Sequence, residues 1–238
     1  MGRKWNNIKE KKAGKDASRS KILAKFGKLI YAVAKKGDAN PEINRELADV
    51  IARAKTYNVN RDIIDRALKK AREGGGEDFQ NLRYEGYGVG GSAVIVEALT
   101  DNVNRTASEV RSAFSKNSGN LGVNGSVSFM FERKFILGFE GLSEDKVFEM
   151  LLENDIEPSN IEVDGSNIYV YLEPGTNNQA EEVLRQAGIN DFNLNELSMV
   201  PESYVSLDEA DLIAFEKLID ALEDLDDVQQ VFHNVENC

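Results

Sequence analysis

The 238-residue sequence is poor in the residue types on which many protein chemistries depend: one cysteine (Cys238), one histidine (His233) and four prolines. A single cysteine excludes a disulfide framework and a cysteine-based zinc quartet. A single histidine removes every mechanism that needs two imidazoles. No run approaches the ~18 consecutive apolar residues of a membrane span, so no membrane partner is expected. The opening MGRKWNNIKEKK is charged and lacks the apolar stretch of a secretory signal. Asn6 stands where a myristoylation motif starting at Gly2 needs serine or threonine. With 41% apolar and 29% charged residues, the composition is that of a folded protein. The expectation is a cytoplasmic one.

Motifs of enzymes are also missing. Gly86-Tyr-Gly-Val-Gly-Gly91 fits GxGxxG literally, but a dinucleotide site needs those glycines to open a helix whose N-terminus faces pyrophosphate. Here they lead into Ser92-Ala-Val-Ile-Val-Glu-Ala-Leu99, a β-branched, strand-like run, so a tight turn between paired strands is expected. There is no P-loop lysine motif and no Gly-x-Ser-x-Gly elbow. Asp224, Asp226 and Asp227 lack the glycine and terminal glutamate of a calcium loop and read as a solvated helix end. Asp101-Asn-Val-Asn-Arg105 reads as turn and helix-cap chemistry, with a contact loop as the functional alternative. No catalytic residue, cofactor or metal is expected, and the chain reads as a non-enzyme.

What the sequence does have is a lopsided charge. The formal net charge of −12 divides into 20 Lys+Arg against 8 Asp+Glu over residues 1–72, and 9 against 33 from Glu73 onward. A cationic N-terminal module therefore precedes an anionic body. Residues 1–16 read as a basic arm. The next segment, to Gly37, reads as a helix with Ile22, Leu23, Phe26, Leu29, Ile30 and Val33 on one face and Lys21, Lys25, Lys28, Lys35 and Lys36 opposite. Asn40-Pro41 is expected to open a second helix, running to about Tyr57, and Asn60 to cap a third that stops at Gly74-Gly-Gly76.

Beyond the glycines the period changes. Strands are expected at 84–87, 93–99 and 126–131, with a helix at 106–115 between the last two and turn material at 117–120 and 123–125. A second α/β run follows. It comprises a strand at 135–139, a helix from Ser143, a hairpin around Asp164-Gly165, a helix at 178–186 and an extended segment at 193–205. Ser206-Leu-Asp-Glu209 resembles a capping box before a helix at 210–222, and residues 228–235 close the chain as a strand. The fold class is α+β, with split β-α-β units of the ferredoxin-like kind.

The basic module is the expected nucleic-acid contact: Arg3, Lys4, Trp5, Lys9, Lys11, Lys12, Lys15, Arg19, Lys21, Lys25 and Lys28. Between Lys21 and Lys36 there is no acid, as a phosphate-facing helix requires. Trp5 has two readings, a ring that stacks on a base or ribose and an anchor folded onto the helices. A helix-turn-helix reading of helices two and three meets two acids, Asp62 and Asp65, near the end that would enter a DNA groove. A protruding cationic end on an anionic body suits insertion into a crowded RNA structure better than lying along a duplex.

The motifs Lys4-Trp-Asn-Asn-Ile8, Lys11-Lys-Ala13, Arg83-Tyr-Glu-Gly-Tyr-Gly-Val-Gly-Gly91, Thr100-Asp-Asn-Val-Asn-Arg-Thr106, Gly119-Asn-Leu-Gly122 and Phe131-Glu-Arg-Lys134 together resemble the YebC family. Its members are described as transcriptional regulators, and its mitochondrial members as translational activators of cytochrome c oxidase. The opening Met1-Gly-Arg-Lys-Trp5 is similar to the YeeN-type branch. The resemblance implies an N-terminal three-helix domain (1–76), a middle α/β domain (77–134 plus 206–238) and an acidic α/β domain (135–205) inserted into the middle one. It also implies a ribosome-associated factor that binds rRNA and tRNA as a monomer and relieves stalling at proline-rich sequences, alongside elongation factor P. The alternative it carries is a DNA-binding transcriptional regulator.

Overall fold

The structure is a computed structural model that describes residues 16–238, with side chains from Arg19 onward. Three helices come first: α1 (Asp16–Lys36), α2 (Arg45–Thr56) and α3 (Arg61–Glu73). Their apolar stripes meet in one core in which Ile30, Leu47 and Ala54 are fully buried beside Phe26, Ile64 and Leu68. Truncating Leu47 there would cost about 2–5 kcal/mol. The start of α2 differs from the expectation. The Asn40 carbonyl accepts from the backbone N–H groups of Ile43 and Asn44, closing a turn around Pro41. Asn44, in extended conformation, then caps the helix by accepting from the Leu47 N–H at 3.1 Å. Asn60 caps α3 in the same way, at 3.2 Å from the Ile63 N–H. Gly74, Gly75 and Gly76 all hold φ between +72° and +75°, a run that residues with a Cβ rarely adopt, and they turn the chain away from α3.

The remainder forms two four-stranded antiparallel sheets. The first has the order β3-β1-β2-β8, from β1 (Gln80–Tyr87), β2 (Ala93–Thr100), β3 (Asn120–Leu121) and β8 (Val228–His233). Helices α4 (Val103–Lys116) and α7 (Glu209–Glu223) pack on one face, where Val94, Val96, Phe114, Phe215 and Leu218 form the core. The second sheet is a β-α-β-β-α-β run: β4 (Phe131–Glu140), α5 (Glu144–Leu152), β5 (Asn160–Asp164), β6 (Asn167–Leu172), α6 (Asn177–Gln186) and β7 (Leu194–Pro201). Its strand order, β5-β6-β4-β7, is the ferredoxin-like one. The first sheet is completed by β8 only after the chain has built the second. Ala93, Ile95, Val127, Phe131 and Met199 form a smaller core that joins the two sheets.

Three boundaries move. Residues 126–130 are not a strand, because the N–H groups of Val127 and Ser128 bond to the Glu85 carboxylate instead of a neighbouring strand, and Ser128–Met130 wind into a 3₁₀ turn. The strand starts at Phe131 and runs without a break to Glu140, so the segment expected at 135–139 begins four residues earlier and β4 keeps only Phe131 of the one expected at 126–131. Asn120, read as turn material, pairs with Tyr87, and Leu121 after it pairs with Gly86. Finally, α7 is capped by Asp208, whose side chain accepts from the Asp211 N–H at 2.9 Å, and not by Ser206.

Candidate nucleic-acid interface

The lysine face of α1 does not stand free. It lies against the turn between α7 and β8, where the sequence brings Glu223, Asp224 and Asp227. The Lys21 ammonium is 2.8 Å from the Asp224 carboxylate, and Lys25 donates to the Glu223 carbonyl at 2.6 Å. Lys28 reaches the Asp227 carboxylate at 2.5 Å. Burial pulls the Lys25 ammonium below the ordinary lysine value. Three of the expected nucleic-acid residues thus make contacts within the protein itself. Arg19, two residues before Lys21 on α1, is exposed. Arg3, Lys4, Trp5, Lys9, Lys11, Lys12 and Lys15 lie outside the described residues.

Asp227 is the centre of this contact. Its carboxylate, buried to 3% exposure, accepts from Thr100 Oγ1 at 3.0 Å, Thr106 Oγ1 at 2.7 Å and Arg105 at 2.7 Å, besides Lys28. Burial alone would raise this carboxyl. The hydrogen bonds from Lys28, Thr106, Arg105 and Thr100 outweigh burial and hold it well below the usual carboxylate range. The polar run after β2 is explained by these contacts. Asn102 caps α4 by accepting from the Arg105 N–H at 3.1 Å, while Thr100, Arg105 and Thr106 close on Asp227. One carboxylate therefore ties α1, the β2–α4 corner and the start of β8 together. No residue in the sequence marks Asp227 as different from Asp224 and Asp226. The signal that could have found it is the density of hydroxyl, amide and guanidinium groups straight after a buried strand. With Asp224 on Lys21 and Asp227 on Lys28 and Arg105, these acids act as ion-pair partners; no metal-binding group of acids, histidines or cysteines occurs among the described residues.

Helix α3 offers no uniform basic surface. Its exposed Arg61 and Lys69 face Asp65 and Glu73 one turn on, at 3.5 and 3.8 Å. Helix α2 turns toward β7: Arg53 is 3.0 Å from the buried Glu196 carboxylate and donates to Gln230 at 2.9 Å, and Arg45 donates to the Gly175 carbonyl at 2.6 Å. These contacts border a cleft of about 740 Å³ where the helices and both sheets meet. Arg83 and Glu97, 2.8 Å apart, also line it. Its charges are of both signs, and Arg53–Glu196 and Arg83–Glu97 pair within it, which suits a seam between units better than a phosphate site.

The remaining motifs resolve structurally. The glycine run joins β1 to β2 through a 3₁₀ turn (Val89–Gly91) with Gly90 and Gly91 at φ +63° and +74°, and the chain continues into a strand as expected. A Cβ on Gly86 would lie 2.7 Å from the Asn120 carbonyl and the Phe114 ring, so this glycine serves the close approach of β3 and α4. His233 packs its ring on Phe215 with centroids 5.1 Å apart, and its Nδ1 accepts from the Val235 N–H at 3.3 Å.

Comparison with known proteins covers nearly the whole chain. The sequence model of the TACO1/YebC protein N-terminal domain matches residues 3–74, and that of the TACO1/YebC second and third domain matches residues 79–235. The first match ends at Gly74, and Gly75 and Gly76 fall between the two. Among solved structures, that of a conserved hypothetical protein from Aquifex aeolicus is 38% identical, with a TM-score of 0.80 over 93% of this chain and 91% of that one.

Proposed function

Since the chain belongs to the TACO1/YebC family of transcription-regulator-like proteins and translational activators, we propose that it is a ribosome-associated translation factor. The observation that carries this reading is the charge division: 20 bases against 8 acids in residues 1–72, on a remainder with 33 acids against 9 bases. A phosphate-rich partner attracts the first part and repels the second, so the protein approaches RNA end-on. Lys21, Lys25 and Lys28 have partners on the α7–β8 turn. The contact with rRNA and tRNA therefore falls chiefly to Arg3, Lys4, Lys9, Lys11, Lys12 and Lys15, with Trp5 among them and Arg19 at their base.

In this reading the factor acts by position and not as an enzyme. The arm extends toward the peptidyl-transferase region and steadies a productive tRNA or nascent-chain geometry, and holding reactants in place is enough to accelerate a slow step. The two sheets and the Asp227 contact give the arm a fixed base, and the protein works as a monomer in the cytoplasm. Translation of a reporter with a proline run, in a purified system, tests the reading. Full-length protein is expected to relieve the stall, and protein with Lys9, Lys11, Lys12 and Lys15 changed to glutamine is expected to fail. Equal activity of both proteins, together with selective binding of one DNA duplex over its scrambled counterpart at the same salt, would favour the regulator reading instead.

A further inference from the structure

Residues 122–130 form a loop that is firmly held and yet shows large apolar side chains to solvent. Glu85 on β1, 3% exposed, accepts from the N–H groups of Gly125, Val127 and Ser128 at 2.9, 2.9 and 2.8 Å. Its own carbonyl takes the Gly122 N–H at 2.8 Å. The Tyr87 hydroxyl donates to the Ser126 carbonyl at 2.7 Å, and Ser126 Oγ accepts from the Val123 N–H at 2.9 Å. Had 127–131 continued as a strand, Val127, Phe129 and Phe131 would share one face. The 3₁₀ turn at Ser128–Met130 breaks that alternation. Val127 and Phe131 stay in the core, while Phe129 is 71% and Val123 77% exposed. The Glu85 carboxylate, satisfied by three N–H groups, thus fixes a loop conformation that leaves the Phe129 ring in solvent.

We propose that this loop is a second RNA-binding element, in which Phe129 stacks on an unpaired base. Three features favour RNA over a protein groove. The loop itself, residues 122–130, contains no acid in a body otherwise dominated by acids. The exposed apolar side chains stand singly among Gly, Asn and Ser, without a contiguous apolar patch around them. The exposed amides of Asn120 and Asn124 can both donate to and accept from base edges. A rigid aromatic ring beside exposed amides is an arrangement that binds single-stranded nucleic acid without a strict sequence. The inference rests on the RNA reading above and adds to it a contact on the body.

The test is binding of the full chain to single-stranded poly(U) and to a poly(A)·poly(U) duplex. Phe129→Ala and Phe129→Leu are each expected to weaken poly(U) binding roughly tenfold, the loss of one stacked base, while Phe129→Tyr stays within about twofold of the parent. Duplex binding is expected to remain unchanged in all three. The site is exposed, so unchanged thermal unfolding confirms that the variants are folded. Full affinity in Phe129→Leu would overturn the proposal in favour of an apolar protein contact. Absence of poly(U) binding by the parent, or equal losses on single strand and duplex, would also overturn it. Lys11→Gln with Lys12→Gln separates the two readings, since it should weaken both RNAs and flatten the salt dependence. If the parent fails to pellet with ribosomes but keeps Phe129-dependent poly(U) binding, the ribosomal reading fails and the loop stands.

Discussion

The lysine face of α1 and the loop at 122–130 exchange the roles that their sequences suggest. The helix has five lysines and no acid between Lys21 and Lys36, the pattern of a surface kept for a phosphate polymer. In the structure, acids about 200 residues further along the chain approach three of those lysines. The loop reads as turn material leading into a strand, yet it is built around a buried carboxylate and directs a ring into solvent. Both regions depend on one buried acid. Asp227 is satisfied by side chains from three elements and joins them, whereas Glu85 is satisfied by three backbone N–H groups and gives one loop its shape. A buried carboxylate bound by side chains welds elements together; one bound by backbone moulds a surface.

The largest expected effect falls on the weld. Asp227→Ala leaves Lys28 and the Thr100 and Thr106 hydroxyls without this acceptor, and Arg105 with Asp101 as its remaining carboxylate, and is expected to cost about 3 kcal/mol in urea unfolding. That is the low end for breaking a buried pair, because Lys28 and Arg105 keep some access to water. The same group sets an acid limb. Its folded-state pKa lies below the unfolded value of about 3.9, so its contribution is complete above that pH and is lost as pH falls further. Glu85 acts in the same direction: burial would raise its carboxyl, but the N–H groups of Gly125, Val127 and Ser128 hold it below the ordinary value. Asp49, raised by burial, opposes both. Stability should therefore decline below about pH 4, and Asp227→Asn should flatten that decline in an acid titration followed by circular dichroism.

Glu85→Gln sharpens the contrast at intermediate size. A neutral amide offers one acceptor oxygen where the carboxylate offers two, so at least one of the three N–H groups is left without a partner. A loss of about 2 kcal/mol is expected in thermal or urea unfolding. Amide exchange should then rise at Gly125, Val127 and Ser128 while the Asp227 contact is unaffected. The smallest effect belongs to Lys21→Gln. This pair is exposed, with Lys21 at 44% and Asp224 at 76%, and its removal should change stability by about 0.5 kcal/mol or less. A large loss there would mean that the lysine face is held more rigidly than its exposure implies.

How much of this was legible depended on how local each signal is. The three N-terminal helices, the glycine turn, the Asp164-Gly165 hairpin and the helix at 178–186 follow from periodicity and capping within short windows, and they appear within a few residues of expectation. The errors arise where partners are remote. Asn40 lost the cap of α2 to Asn44 because its side-chain oxygen accepts from the Glu42 N–H in a local turn. Residues 126–130 have the β-branched and aromatic content of a strand, but Glu85, about 40 residues earlier, takes their N–H groups. The basic face of α1 was visible from its own residues; its neutralisation was not, because nothing local distinguishes an acidic helix end in solvent from one that closes on a lysine helix. The Thr100–Thr106 run was the one distant contact with a local trace, since so many polar groups after a buried strand require partners.

The central claim is that the basic end of this protein grips ribosomal RNA. Co-sedimentation of full-length protein with purified ribosomes across a salt series, beside protein lacking residues 1–16, measures that grip most directly. The account predicts that the full chain pellets at moderate salt with a steep salt dependence and that the truncated chain stays mostly in the supernatant. Equal pelleting of the two, or no pelleting of either at low salt, would contradict it.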